Sequence, residues 1–282
     1  MLQAHDSLYR FYELRNRFTE GEAGLRQAAE LLMAQPDAAE HRITCITIVM
    51  RRARFFTRLA RYGPAEELLT DCLRQADQTS PEMRQATARV LSELGLIALM
   101  TGDYPAAEER MQAALEINRE INVRDRIVNM CNLGYVICQA GRYSQAAGLL
   151  RQVVSMSRAG GYQDAVAFGS YFLGLTVLGQ EDVDAAANLF DEALGIYADL
   201  KHAWGMALCL HGKALVALER GRPAEAAQLA EEGAANARLI KDAHSSALCL
   251  NCLGRAASAL GKEDEARAYF TDALQTAWQA RQ

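Results

Sequence analysis

A repeat of about 40 residues runs through most of this 282-residue chain, and it restricts the possible folds more than any other feature. A polar turn recurs at Gly102-Asp103-Tyr104, Gly141-Arg142-Tyr143, Glu181-Asp182-Val183, Gly221-Arg222-Pro223 and Gly261-Lys262-Glu263. Five residues after the start of each turn stands an alanine: Ala107, Ala146, Ala186, Ala226 and Ala266. A weaker start near Phe18 and a match at Tyr62-Gly63-Pro64-Ala65 extend the series towards the amino terminus, which gives about seven repeats.

Each repeat carries two amphipathic helical patterns, because its apolar residues recur every three or four positions before and after the turn. The sequence therefore predicts helical hairpins. A small residue stands in each first helix of the better-matched repeats: Gly95, Gly134, Gly174, Ala214 and Gly254. We expect the second helix to cross this residue closely at its own alanine.

The predicted repeats span residues 4–35, 41–78, 83–119, 124–158, 162–200, 202–240 and 243–280, within a single domain over residues 1–282. The five prolines agree with these bounds. Pro36 and Pro81 fall between repeats, and Pro64, Pro105 and Pro223 fall at the start of second helices, where a missing N–H costs little. Because no polar capping helix follows the last repeat, we expect a fragment of a longer multidomain protein.

Composition restricts the function classes and the compartment. The 30 basic and 35 acidic residues give a formal charge of -5 and no cationic stripe, so we expect no direct contact with nucleic acid. Neither a spanning apolar segment nor a signal peptide is found, so no membrane partner is expected. Seven cysteines, an odd number, favour free thiols and a cytoplasmic location.

The repeat resembles the tetratricopeptide repeat family, in Leu94-Gly95, in Gly102-Asp103-Tyr104 and in Ala107 with Ala114. The resemblance recurs over residues 46–279 and implies a right-handed superhelical solenoid of about seven antiparallel hairpins, an all-α fold. The period differs from the usual repeat of about 34 residues, and the proline that often closes the second helix is absent.

The longer repeats, with Asp103-Tyr104-Pro105-Ala106-Ala107 and His202-Ala203-Trp204-Gly205-Met206-Ala207, are similar to the C-terminal sensor arrays of bacterial STAND signal-transduction ATPases. That group includes regulators similar to the maltotriose-sensing transcription activator. The resemblance implies a non-catalytic sensor that binds a peptide, a protein segment or a small-molecule inducer and acts on other domains of the same polypeptide. The alternative is a protein–protein adaptor scaffold of the co-chaperone or peptide-receptor type.

No catalytic, metal or cofactor site is expected from the sequence. His5, His41, His202, His211 and His244 are scattered over different repeats and form no zinc motif. Cys249 and Cys252 have metal-ligand spacing, but they lie in a predicted helix without a second pair, which favours two buried packing residues. The paired acids Glu66-Glu67, Glu108-Glu109 and Glu231-Glu232 fall on predicted solvent-exposed faces of second helices.

In the family that the repeats resemble, first helices line a concave groove, and fixed positions of each repeat face the ligand. Carrying this register over implies a groove formed by Arg54, Arg58, Arg89, Ser92, Cys131, Tyr135, Gln139, Phe168, Tyr171, His211, Asn251 and Arg255, with Leu96, Leu175 and Leu208 between them. Aromatic rings would anchor a ligand in the middle, and arginines would pair with carboxylate or phosphate at both flanks. The alternative is that the rings only fill space between neighbouring helices.

Overall fold

The computed structural model describes residues 7–9, 11–13, 15, 17–34, 41–59, 61–75, 80–118 and 123–279. Within these ranges the chain consists of helices joined by short turns, and no strand occurs. The all-α prediction is therefore confirmed. His5 and Pro36 lie outside the described residues.

The helices follow one another in hairpins. They are α1 (Phe18–Met33), α2 (Arg42–Arg58), α3 (Tyr62–Gln75), α4 (Pro81–Thr101), α5 (Tyr104–Asn118), α6 (Val123–Gln139), α7 (Tyr143–Ala159), α8 (Gln163–Leu178), α9 (Val183–Asp199), α10 (Ala203–Glu219), α11 (Pro223–Leu239), α12 (Ala243–Ala259) and α13 (Glu263–Gln279). Even-numbered helices are the first helices of the predicted repeats, and odd-numbered helices are the second helices. Pro64, Pro105 and Pro223 lie in the first turn of their second helices, as the sequence predicts.

Two compact bodies divide the chain. The N-terminal body extends to Asn132 and the C-terminal body begins at Leu133, so helix α6 contributes residues to both. Within the N-terminal body α2 contacts α4, and within the C-terminal body α8 contacts α10 and α10 contacts α12. First helices therefore lie side by side, which brings residues one repeat apart together. The single-domain assignment for residues 1–282 stays a prediction.

In the five hairpins from α4–α5 to α12–α13, the turn contains one residue in the left-handed region of backbone conformation. Gly102 has φ 85°, and Gly141, Gly221 and Gly261 have similar values at the equivalent positions. Glu181 occupies this position with φ 65°, a conformation that a residue with a β-carbon adopts at some cost. In two of these turns an aspartate then caps the second helix: the carboxylate of Asp103 accepts a hydrogen bond from the amide of Ala106, and that of Asp182 from the amide of Ala185.

The glycines of the first helices lie against a large side chain of the second helix, a contact that the sequence-based expectation did not include. At Gly95 the alanine of the second helix is close as well, because the backbone oxygen of Ala107 lies 3.3 Å from the β-carbon position. A β-carbon at Gly134 would lie 2.6 Å from Cγ of Leu150, and one at Gly174 would lie 2.7 Å from Cε1 of Phe190. The same relation joins Gly95 to Met111 and Gly254 to Phe270. Each of these large residues lies four positions after the repeat's alanine. In the sixth repeat that position is Ala230, and the first-helix position is Ala214 instead of glycine. The larger first-helix residue is thus matched by a smaller second-helix residue.

Candidate functional site

The structure divides the twelve predicted groove residues into three groups by exposure. Exposed residues are Arg54, Arg58, Arg89, Gln139, Asn251 and Arg255; partly exposed residues are Ser92, Tyr135 and Phe168; buried residues are Cys131, Tyr171 and His211. Of the leucines between them, Leu96 and Leu175 are partly exposed and Leu208 is buried. Only the first two groups offer a surface to a ligand.

In the N-terminal body, two of the three predicted groove arginines, Arg54 and Arg89, have carboxylate partners on the next first helix. Arg54 Nε donates to Glu93 Oε1 at 2.8 Å, and Arg89 Nε donates to Asp125 Oδ2 at 3.0 Å. Glu93 raises the pKa of the Arg54 guanidinium. Partners of this kind neutralise the cations, so a ligand carboxylate would have to compete with an existing ion pair.

Ser92 takes part in the same kind of link. Its hydroxyl lies 2.7 Å from Asn129 Oδ1 on helix α6 and 2.8 Å from the carbonyl oxygen of Ala88. Arg54, Arg89 and Ser92 thus connect consecutive first helices to one another.

In the C-terminal body, Tyr171 and His211 form a buried pair below the surface of the first helices. The Tyr171 hydroxyl lies 3.4 Å from His211 Nδ1, and Tyr171 is only 3% exposed. Burial raises the pKa of Tyr171 well above its usual value. Burial, followed by the positive charges of His244 and Arg255, lowers the pKa of His211 to about 4. The imidazole is therefore neutral at pH 7, and the pair packs the core instead of facing a ligand.

A continuous set of aromatic rings connects three consecutive first helices. The ring of Phe172 lies at its centre, with centroids 4.6 Å from Tyr135, 4.7 Å from Phe168 and 5.1 Å from Tyr171. The Phe168 ring continues to Trp204, 5.8 Å away, at the start of α10. These separations are typical of interacting rings. We call Tyr135, Phe168 and Trp204, the partly exposed members, the aromatic surface.

The carried-over register misses both Phe172 and Trp204. Phe172 falls between the sampled positions Tyr171 and Leu175, and Trp204 precedes Leu208, the first sampled position of its repeat. The sequence holds one signal for this cluster: Phe168, Tyr171 and Phe172 fall within five consecutive residues of α8.

The predicted groove residues of helix α12 are Asn251 and Arg255. Arg255 Nη2 donates to Glu219 Oε1 over 3.4 Å, and Asn251 is exposed. This ion pair is longer than those of the N-terminal body.

Cys249 and Cys252 are fully buried, as expected for packing residues. Burial raises the pKa of Cys249 to about 12 and that of Cys252 to about 11, so neither thiol ionises near neutral pH.

Among the described residues, no group of three or more histidine, cysteine or acidic side chains is placed to hold a metal ion. In the same ranges, each helix is too short or too polar to cross a bilayer.

Comparison with known proteins identifies the repeat. The tetratricopeptide repeat model matches residues 87–126 and 246–277. The regulatory protein AfsR of Streptomyces griseus is 27% identical over 184 residues, which are 65% of this chain and 18% of that protein. The chain thus spans less than a fifth of the length of this relative.

Two solved structures share the fold over almost the whole chain. The apo form of RapI superposes with a TM-score of 0.77 at 13% identity, covering 99% of this chain and 98% of RapI. The Rap conjugation gene regulator of plasmid pLS20, in complex with the Phr* peptide, superposes with a TM-score of 0.68 at 12% identity, covering 99% and 96%. The chain therefore has the fold of tetratricopeptide-type helical arrays, and part of it is similar in sequence to a regulatory protein.

Proposed function

We propose that this chain is the ligand-recognition array of a bacterial regulatory protein of the STAND type, and that it binds a peptide or a small ligand on its first-helix side. The aromatic surface carries the proposal. Tyr135, Phe168 and Trp204 are partly exposed on three consecutive first helices, and the buried ring of Phe172 holds two of them in place. Rigid aromatic side chains of this kind are the usual anchors of an interface.

The predicted groove arginine of the C-terminal body, Arg255 on α12, is a weaker candidate anchor than the aromatic rings. Arg255 shares its guanidinium with Glu219, so its positive charge is partly neutralised before a ligand arrives. An exposed ion pair contributes little to stability, and a ligand carboxylate could replace Glu219 at small net gain. We therefore expect Arg255 to adjust the affinity and the rings to supply most of it.

The comparisons support the proposal without extending it to particular ligands. A Rap protein of the same fold was solved with a bound peptide, and AfsR is described as a regulatory protein. The matched segment covers only 18% of AfsR. This small share fits the proposal of a sensor array that acts on other domains of its own polypeptide. We place the protein in the cytoplasm and assign no enzymatic activity, cofactor, nucleic-acid contact or membrane contact to the array.

Tryptophan fluorescence can test the site directly. The chain has two tryptophans, so a Trp278→Phe background leaves Trp204 as the sole reporter. We expect at least one member of a synthetic pentapeptide library to change the Trp204 emission in a saturable way. Tyr135→Ala and Phe168→Ala, made in this background, should each weaken that peptide by about ten-fold or more.

Leu239→Ala is the matched control, because Leu239 is an equally apolar and strongly exposed residue at the end of a second helix. It should leave the affinity unchanged, and circular dichroism should show that every variant is folded. Peptides that bind without changing Trp204 emission, and with the same affinity for Tyr135→Ala and Phe168→Ala, would place the site elsewhere.

A further inference from the structure

Helix α7 differs in charge from every other second helix of the described chain. It contains Arg151 and Arg158 and no acidic residue. Each of the six others, α1, α3, α5, α9, α11 and α13, has more acidic than basic residues. At the position of Arg151 the following two repeats carry Asp191 and Glu231. The positive charge is thus specific to this one hairpin and does not belong to the repeat pattern.

A cleft of about 320 Å³ lies beside these arginines, within the C-terminal body. Its lining residues are Arg151, Val154, Ser155 and Arg158 of α7, Leu173 of α8 and Leu189 of α9. Val154 and Leu173 are buried and Leu189 is partly exposed, whereas both arginines and Ser155 are exposed. The cleft is therefore apolar at its base and polar at its rim.

The two arginines differ in their partners. Arg158 Nη2 donates to Glu192 Oε1 at 2.5 Å, and Glu192 Oε2 also accepts a hydrogen bond from the Ser170 hydroxyl. Arg151 has no ion pair or side-chain hydrogen bond among the described residues. An uncompensated guanidinium at the rim of an apolar cleft is complementary to a carboxylate attached to an aliphatic group.

We propose that this cleft docks an amphipathic, acidic helix of a partner protein. An aliphatic side chain of the partner enters between α7 and α9, and a carboxylate about one turn away pairs with Arg151. The site is separate from the aromatic surface, because its residues lie mainly on second helices. It would therefore connect the array to a second protein while the first-helix side remains free for a ligand.

The shape of the cleft favours a polypeptide segment over a small molecule. Three of its six lining residues are exposed, so the cleft is open, whereas small-ligand pockets enclose most of the ligand surface. Helices α7 and α9 are 17 residues each, which offers about 25 Å of length to a partner helix. Nucleic acid is disfavoured, since the cleft lining has only two basic residues and one of them, Arg158, already pairs with Glu192.

The probe for the test is a synthetic, fluorescein-labelled 15-residue helix with leucines every three or four positions and glutamates beside them. A second peptide has glutamine in place of each glutamate. Fluorescence anisotropy measures the affinity of both for the full chain. We expect the acidic peptide to bind and the glutamine peptide to bind about ten-fold more weakly or worse.

Arg151→Glu gives position 151 the negative charge of the following repeats and should weaken the acidic peptide by about ten-fold or more. Arg151→Gln removes one unit of positive charge and should weaken the acidic peptide in the same direction. Gln152→Glu is its matched control, because it also changes the charge by one unit, at the exposed neighbour outside the cleft lining. It should change the affinity less than about two-fold. Ser155→Trp should also weaken binding, since it fills the cleft without changing charge.

Three results would overturn the proposal. The first is failure of the acidic peptide to bind at concentrations up to about 1 mM. Arg151→Gln and Gln152→Glu could weaken binding equally, which would show only long-range attraction. Octanoate could displace the peptide at micromolar concentration in an Arg151-dependent way, which would make the cleft a small-molecule site.

Discussion

Gly212 lies so close to the ring of Phe190 that a β-carbon at position 212 would come within 2.5 Å of ring atom Cε1. Gly174, which belongs to the same hairpin as Phe190, lies against the same ring: a β-carbon at position 174 would be 2.7 Å from Cε1. Phe190 is fully buried. The ring thus fills a space that two glycines from consecutive first helices leave open, and packing at this density leaves little room to move.

Gly212→Ala should lower the free energy of unfolding by about 1–3 kcal/mol, because the added methyl group overpacks a rigid buried ring. Gly195→Ala is the matched control in the neighbouring helix: nothing lies within 4 Å of its β-carbon position. This control should raise stability by about 0.5–1 kcal/mol, the usual gain from replacing glycine inside a helix. Urea unfolding measures both, and equal signs for the two variants would contradict the packing described here.

Tyr171→Ala should destabilise the fold by about 3–5 kcal/mol, as expected when a buried aromatic side chain is removed. Tyr171→Phe should cost less than about 1 kcal/mol, because it loses only the long contact to His211. Thermal unfolding followed by circular dichroism separates the two. A folded Tyr171→Ala variant with parental stability would show that the Tyr171 ring does not pack the core, and the ring would again be a candidate for ligand contact.

Stability should fall as the pH is lowered from about 6.5 to about 4, in part through His211. The folded state disfavours the charged imidazole, so the unfolded state binds more protons throughout this window. One such group changes the free energy of unfolding by up to about 1.4 kcal/mol per pH unit. Urea midpoints measured from pH 4.5 to 7 should fall more steeply for the parent than for His211→Gln, and parallel curves would exclude this contribution.

All seven cysteines are buried and unpaired, so their reaction with a disulfide reagent should require unfolding. Burial raises the pKa of Cys72 to about 11 and that of Cys209 to about 12, which removes the reactive thiolate at neutral pH. We expect at most slow labelling in native buffer and rapid labelling of seven thiols in guanidinium chloride. Fast native labelling of any one of them would show an opening that this packing does not provide.

The period of the sequence predicts the hairpins because turn and alanine recur together. Glycine at 102 and proline at 105 restrict the backbone locally, so the ends of α4 and α5 follow from short segments of sequence. The burial of individual side chains, in contrast, does not follow from short segments of sequence. Tyr135 and Tyr171 both occupy groove positions of the family register, yet one is partly exposed and the other is buried under neighbouring rings. Burial depends on what the adjacent repeats contribute, and a register within one repeat does not contain that information.

The pairing of the arginines was open to prediction once the period was known. Arg54 and Glu93 are 39 residues apart, and Arg89 and Asp125 are 36 apart. Residues separated by about one repeat lie on adjacent first helices, so opposite charges at this spacing should be examined as ion pairs before they are assigned to a ligand.

Because Phe190 depends on a glycine in its own hairpin and on another in the next, these repeats cannot be exchanged freely. Replacing the fifth repeat by a copy of the sixth would place Ala214 and Ala230 where Gly174 and Phe190 now fit together, and would leave a cavity beside Gly212 of the original sixth repeat. Duplication, deletion or shuffling of single hairpins would break such matches on both sides of the junction. Engineering of this array should therefore transfer blocks of at least two adjacent hairpins, with Phe190 kept beside both Gly174 and Gly212.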